Sequence, residues 1–171
     1  MGDGLSFKKW MNKSMSVPQT GWHHGTQSGD ALRTTPIQVS NSGGGQRGLK
    51  GFWLTRDLEY AGVYSKVLSE KPGIPEVISF VLSPNLKIAN LVGTTFEEMW
   101  NFVGIDLENN EQTAKLREMQ PFAMTKLLVQ QGYDGAMISN TVKSGGSDEL
   151  VIFDPKNVSI QNKQNNPRHI P

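Results

Sequence analysis

The chain has no cysteine among its 171 residues, which excludes disulfides, thiolate metal ligands, iron–sulfur ligation and a cysteine nucleophile together. Neither charge is in excess. Seventeen Lys and Arg against sixteen Asp and Glu leave a formal +1, so no global field draws the protein to nucleic acid or to an anionic membrane. Long apolar runs are missing too: eighteen consecutive apolar residues occur nowhere, and MGDGLSFKKWMNKSM at the start holds no apolar segment of signal length. A soluble, cytoplasmic protein, in a bacterium or in a host cell and without membrane contact, is expected. Histidine is scarce, and two of the three, His23 and His24, stand side by side.

Glycine and proline are plentiful, eighteen and nine residues, and point to many turns rather than to a helical bundle. A chain of this length builds one domain around one core, expected over residues 1–162. The polar tail 163–171, KQNNPRHIP, is expected to be disordered. Leu5, Trp10 and Met11 fall at helical spacing among Lys8, Lys9 and Lys13, which predicts a short amphipathic helix over about 5–14. Residues 19–25 read as a strand, 27–50 as a long polar loop, and GFWLT from Gly51 as a second strand. A helix follows over 56–68, ended by the KPGIP turn at 71–75.

EVISFVLS at 76–83 and LKIANL at 86–91 read as strands. A helix opens at Thr94 or Thr95, each with a Glu three residues on, as in a capping box. Another runs from about Glu111 to Gln131, and Pro121 should kink or split it. GAMISN, ELVIFD and NVSIQN close the chain as strands. Strands at both ends with helices between define an α+β class.

Four stretches could carry chemistry. In GWHHGT, at 21–26, consecutive side chains on a strand point to opposite faces, so His23 and His24 cannot both turn to one ion. The third histidine, His169, sits in the tail, and no metal is expected. GGGQRG at 43–48 spells G-x-G-x-x-G without the preceding strand and following helix that give that motif its phosphate site, and reads as a flexible loop. Glu149 opens an apolar strand directly after KSGGSD, either as a solvated strand end or as a carboxylate aimed into a cleft. Trp53, Tyr60 and Tyr64 are either core or a stacking platform for a planar ring.

In this order the stretches resemble the catalytic domain of ADP-ribosyltransferases of the histidine, tyrosine, glutamate type, the group that includes the poly(ADP-ribose) polymerases and the diphtheria-like toxins. HGT at His24–Thr26 is similar to the group's His-Gly-Ser/Thr. GFWL, with Tyr64 eleven residues beyond Trp53, resembles the strand and stacking tyrosine, and SDELVIFD resembles N-E-Y-I-V-Y-D, which selects Glu149 as catalytic. SFKKWMNKS ahead of HHGT, with GYDGAMI and ELVIFDPKNV near the end, is similar to the ADP-ribosyltransferase-like domains in polyvalent proteins of phages and other mobile elements. The resemblance spans about residues 5–161.

It implies a split β-sandwich of two small antiparallel sheets with flanking helices, and NAD as co-substrate. Glu149 would face the charge that grows at ribose C1′, and His24 would hold the adenosine ribose. The Gly25 backbone, beside Thr26, would take the nicotinamide carboxamide, and Tyr64 would stack on the nicotinamide with Trp53 covering its opposite side. His23 is expected to turn away. The implied activity is mono-ADP-ribosylation of a macromolecular acceptor, protein first and nucleic acid left open, by a monomeric phage, mobile-element or bacterial effector or toxin. The loop Thr141–Asp148 is the expected place of acceptor recognition.

Two departures from the pattern qualify this. Ala61 stands where the polymerases carry a serine that bonds the nicotinamide amide, which makes a catalytically silent module for NAD, ADP-ribose or a partner protein the alternative. Ser147 stands where arginine-modifying relatives carry Glu or Gln, which disfavours an arginine acceptor. A small-molecule modifier similar to the rifamycin-inactivating transferases is a third option, but those usually carry aspartate where Glu149 stands.

Overall fold

The computed structural model describes residues 14–27, 29–37, 48–67, 74–139 and 147–161. The expected N-terminal helix up to residue 13, the glycine motif up to residue 47, most of the expected acceptor loop and the polar tail lie outside the described residues.

Eight strands and five helices follow one another along the described chain. They are β1 (Ser14–Met15), β2 (Trp22–Thr26), α1 (Gly29–Thr34), β3 (Phe52–Thr55), α2 (Leu58–Val67), β4 (Glu76–Leu82), β5 (Ile88–Leu91), α3 (Phe96–Phe102), α4 (Asn110–Glu118), α5 (Ala123–Gln130), β6 (Gly135–Ser139), β7 (Asp148–Ile152) and β8 (Val158–Ile160). The class is α+β, as expected.

The sheet itself differs from the expectation of two small antiparallel sheets. All eight strands join one hydrogen-bonded sheet in the order β1-β5-β6-β7-β3-β2-β4-β8. The β3–β7 ladder, with four registered pairs from Phe52↔Ile152 to Thr55↔Glu149, links the two halves. One neighbouring pair, β5 and β6, is parallel, because the three helices α3–α5 carry the chain back across the sheet between them, as a parallel pairing requires. The sheet also bends on itself. Met15 of β1 and Asn90 of β5 line one cleft of about 430 Å³ together with Trp22 of β2, although β5 and β2 are four places apart in the order, roughly 19 Å in a flat sheet at about 4.8 Å per strand.

Strand alternation divides the apolar side chains between two cores. On β7, Leu150 and Ile152 join Trp22, Phe52, Leu54, Ile78 and Phe80 on the concave side, while Val151 turns the other way to Ala136, Ile138 and the helices α3–α5. Local signals set the helix ends. Thr95 caps α3 in a full capping box with Glu98, and Asn109 caps α4 through its side chain. Pro121, which has no N–H to donate, lies between α4 and α5, as its place in the sequence predicts.

The segment 27–50, expected to be a long loop with at most one short strand, holds the short helix α1. Its support is tertiary: Arg33 pairs with Glu76 of β4, and a side chain at Gly29 would collide with the same carboxylate. No helix among the described residues is long and apolar enough to cross a membrane.

Candidate active site

The site is assembled where β2 leaves β3. Ser79 accepts from the Gln161 amide, so the odd residues of β4 face β8 and the even ones face β2. The register Trp22↔Phe80, His24↔Ile78 then commits the backbone of His24 to β4 and turns that of His23 and Gly25 toward β3. There the ladder holds a single pair, His23↔Thr55. The next rung, Gly25 with Trp53, does not form, so the amide and carbonyl of Gly25 face a slit between the two strands. The Trp53 carbonyl is taken instead by the imidazole Nδ1 of His24, at 2.8 Å.

That contact fixes the tautomer of His24. A carbonyl only accepts, so Nδ1 carries the hydrogen, and Nε2 of the neutral ring is an acceptor. The ring is neutral because burial between Phe52, 4.7 Å away, and Phe80 lowers its pKa, against a smaller opposing effect of the Trp53 carbonyl. His23 has different neighbours: its Nδ1 is 3.0 Å from the Ser79 hydroxyl, and its pKa is lowered by burial and then by the Arg56 charge.

Gly25 is required by packing before any ligand is considered. A Cβ there would lie 1.9 Å from the Ala61 carbonyl oxygen and 2.8 Å from the Ser65 amide nitrogen. Helix α2 thus rests directly on the β2 backbone. Ala61 is buried in that contact, 2% exposed. Ser65, one turn on, is equally buried and donates to the Gly62 carbonyl.

Helix α2 carries Tyr60 and Tyr64, and the strand pairing brings Glu149 to them. Glu149 stands opposite Thr55, the last residue of β3, only five positions before Tyr60. The Thr55 hydroxyl is 2.9 Å from that of Ser147 and accepts from the Asp57 amide at 3.1 Å, while Asp57 accepts from the Tyr60 amide at 2.9 Å. These bonds tie the head of β7 to the head of α2. The Tyr60 and Tyr64 hydroxyls are 3.0 Å apart, and their rings meet edge to face at 4.8 Å. Burial above all holds the Tyr60 phenol far above its ordinary pKa. The hydrogen bond to Tyr64, the Glu149 charge and a hydrogen bond to the Glu149 carboxylate add to the effect.

Glu149 is half-buried and not a fully solvated strand end, and its charge acts on Tyr60. The electrostatic effect of Glu149 on Tyr60 was invisible in the sequence, where Tyr60 stood only as core or platform, because it depends on the β3–β7 register.

The residues singled out from the sequence fall into two groups. Tyr64 meets Tyr60 on α2, and the Glu149 charge acts on the Tyr60 phenol from the head of β7. The Gly25 backbone and the Trp53 carbonyl, with His24 Nδ1 on it, face the slit, while Thr26 pairs with Glu76 of β4. His23, expected to turn away, lies in one row with Thr55 and Glu149, because facing residues of paired strands project to the same side. The His24 ring starts from the opposite side of β2. The indole of Trp53 packs against the core under α3–α5, and its Nε1 is buried without a hydrogen-bond partner. Among the described residues no cluster of three or more His, Asp or Glu could hold a metal ion.

No protein-family model matches the chain, and no curated protein does. Among solved structures, a chain of the M. tuberculosis MbcT–MbcA toxin–antitoxin complex is similar, with 10% identity, a TM-score of 0.49, and coverage of 91% of this chain and 87% of that one.

Proposed function

We propose that the protein is a mono-ADP-ribosyltransferase that moves ADP-ribose from NAD to a macromolecular acceptor, a protein in the first instance, and releases nicotinamide. The observation that carries this reading is the placement of Tyr60 and Tyr64 on one face of α2, with the Glu149 charge acting on the Tyr60 phenol, beside a slit into which the Gly25 backbone opens.

NAD bound there would present its carboxamide to the Gly25 amide and carbonyl, which donate and accept in the pattern an amide needs. A ribose hydroxyl would donate to Nε2 of neutral His24. The Tyr64 ring would stack on the cationic nicotinamide. The bond from ribose C1′ to the nicotinamide nitrogen then breaks, its electron pair leaves with neutral nicotinamide, and positive charge grows on the ribose as in glycoside hydrolysis. The Glu149 carboxylate, half-buried and fixed, stabilises that charge. The acceptor nucleophile forms the new bond to C1′ and loses its proton.

Isotope-labelled NAD incubated with the protein and a bacterial lysate tests the reading. Label on protein together with free nicotinamide is expected, and Glu149→Gln should lower both by about a hundredfold or more while leaving the folded spectrum intact. Equal turnover by the parent and Glu149→Gln would overturn the mechanism.

One observation favours a second reading, a silent module that binds NAD or ADP-ribose. Ala61 is buried on Gly25 with no hydroxyl to offer a carboxamide. Calorimetric binding of NAD without nicotinamide release under any acceptor would select that reading.

A further inference from the structure

We infer that the cleft of about 430 Å³ between β1, β5 and β2 is the docking site of the protein acceptor, and that it takes an extended peptide segment with an apolar side chain next to a carboxylate. The inference rests on the transferase reading above and deepens it, since that mechanism leaves the acceptor's own contacts unassigned.

Position comes first. Trp22 and Met137 belong to the core on the concave side, and Met15 packs against it, so the cleft they line is where that core opens to solvent. Arg56, Ser147 and Asp148 line it as well. Arg56 directly follows Thr55, and Ser147 and Asp148 directly precede Glu149, the residue opposite Thr55. Successive side chains of a strand alternate, so Asp148 points to the face of Leu150 while Glu149 points to the other. The cleft and the Glu149 carboxylate therefore stand back to back at the same two strand heads. A segment seated in the cleft has only those heads to cross to reach the reacting ribose.

The chemistry of the lining selects the occupant. Its floor is apolar and adaptable: the Trp22 indole is fixed by donating from Nε1 to the Pro18 carbonyl at 2.7 Å, and the thioethers of Met15 and Met137 fit side chains of varied shape. The charges beside that floor are unspent. The exposed Arg56 guanidinium lies 5.9 Å from the centre of the Trp22 ring and forms no ion pair among the described residues. Asp148 is exposed too, and although it lines the same cleft it does not pair with Arg56. The side-chain carbonyl of Asn90, also in the lining, takes the Val92 amide at 3.2 Å, which leaves two N–H groups to give. An extended peptide answers all three, with a carboxylate for Arg56, a backbone N–H for Asp148 and a backbone carbonyl for Asn90. A purely hydrocarbon ligand would leave the charges unmet, and a nucleic acid would bring phosphate against Asp148.

Two capped peptides test the inference, acetyl-Gly-Glu-Leu-Phe-Gly-amide and the same sequence with Lys in place of Glu. Each is titrated into protein labelled with nitrogen-15 and with carbon-13 on the methionine methyls. The Glu peptide should move the Met15 and Met137 methyls and the Trp22 indole N–H saturably, and should bind about fivefold tighter than the Lys peptide, the upper worth of an ion pair open to solvent. In Arg56→Gln the two peptides should bind alike, with the unfolding midpoint of the parent because Arg56 is exposed. Unmoved signals at those three residues, or a preference that Arg56→Gln keeps, overturn the docking site. Given labelled NAD and a bacterial lysate, Arg56→Gln should label protein about fivefold less than the parent, with KM for NAD within about twofold because the slit is untouched. Undiminished labelling overturns the cleft's role in acceptor binding. A parent that labels nothing overturns the transferase reading instead, and the peptide titration still decides the cleft.

Discussion

Thr55 stands directly opposite Glu149 across β3 and β7, and its buried hydroxyl, on a residue 4% exposed, joins Ser147 ahead of one element to Asp57 at the head of the other. Thr55→Val keeps the shape and removes both bonds. It should destabilise the fold by about 1–2 kcal/mol, the range for polar groups stripped of a partner, and lower nicotinamide release about tenfold by loosening the head of β7, which carries Glu149, against the head of α2. Thr55→Ser should restore most of both. Urea unfolding and steady-state rates on the two variants check it, and a Ser variant as impaired as Val would show that the methyl group matters and the hydroxyl does not.

Gly25→Ala is expected to be among the most damaging single changes in the chain. The added methyl meets helix backbone at 1.9 Å, and backbone cannot swing aside as a flexible side chain could. Helix α2 has to lift from β2, at a cost of about 3 kcal/mol or more from overpacking, and Tyr60 and Tyr64 move with it. Chemical denaturation should show a lower midpoint. A variant as stable as the parent would mean that the contact between α2 and β2 is looser than described.

The histidine doublet yields an ordering. If a ribose hydroxyl donates to Nε2 as proposed, His24→Ala should raise KM for NAD about tenfold, the worth of one hydrogen bond. His23→Ala, which loses a contact to Ser79, should change it less. The opposite order would favour the row His23–Thr55–Glu149 as the side that meets NAD.

Acid should destabilise the fold before it titrates the carboxylates. Both His23 and His24 are held below the ordinary histidine value of 6.5 in the folded chain, chiefly by burial. As pH falls the unfolded chain therefore binds protons first. Their contribution to stability is fully present above pH 6.5 and is lost as pH falls from there toward the folded-state values. Melting temperatures between about pH 7.5 and 5 should decline for the parent and decline less for His23→Asn/His24→Asn. Parallel curves would show that neither ring titrates differently on unfolding.

Local chemistry was legible wherever it acted locally. The capping box at Thr95 and Glu98, the break at Pro121 and the alternation of ELVIFD each depend on a few adjacent residues, and the fold keeps them. What depended on pairing was not legible. The helix α1 exists because Arg33 finds Glu76 and Gly29 packs on it, across more than forty positions. The parallel β5–β6 pair follows from a crossover of three helices that the strand patterns do not announce. Glu149 could be read two ways until the register set Thr55 beside it, and the effect of its charge on Tyr60 showed only then. At Gly25 a single letter answers two demands, the approach of α2 and an open backbone edge, and the sequence does not separate them.

The lone pair between His23 and Thr55 gives the sheet a seam. Parting β3 from β7 would break four registered pairs but parting β2 from β3 only one, so the two halves are joined there less by the ladder than by the shared core of Trp22, Ile78 and Phe80 with Phe52, Leu54 and Leu150. A ligand entering at the slit meets a backbone edge that no neighbouring strand has taken, inside a sheet whose other ladders are complete around it.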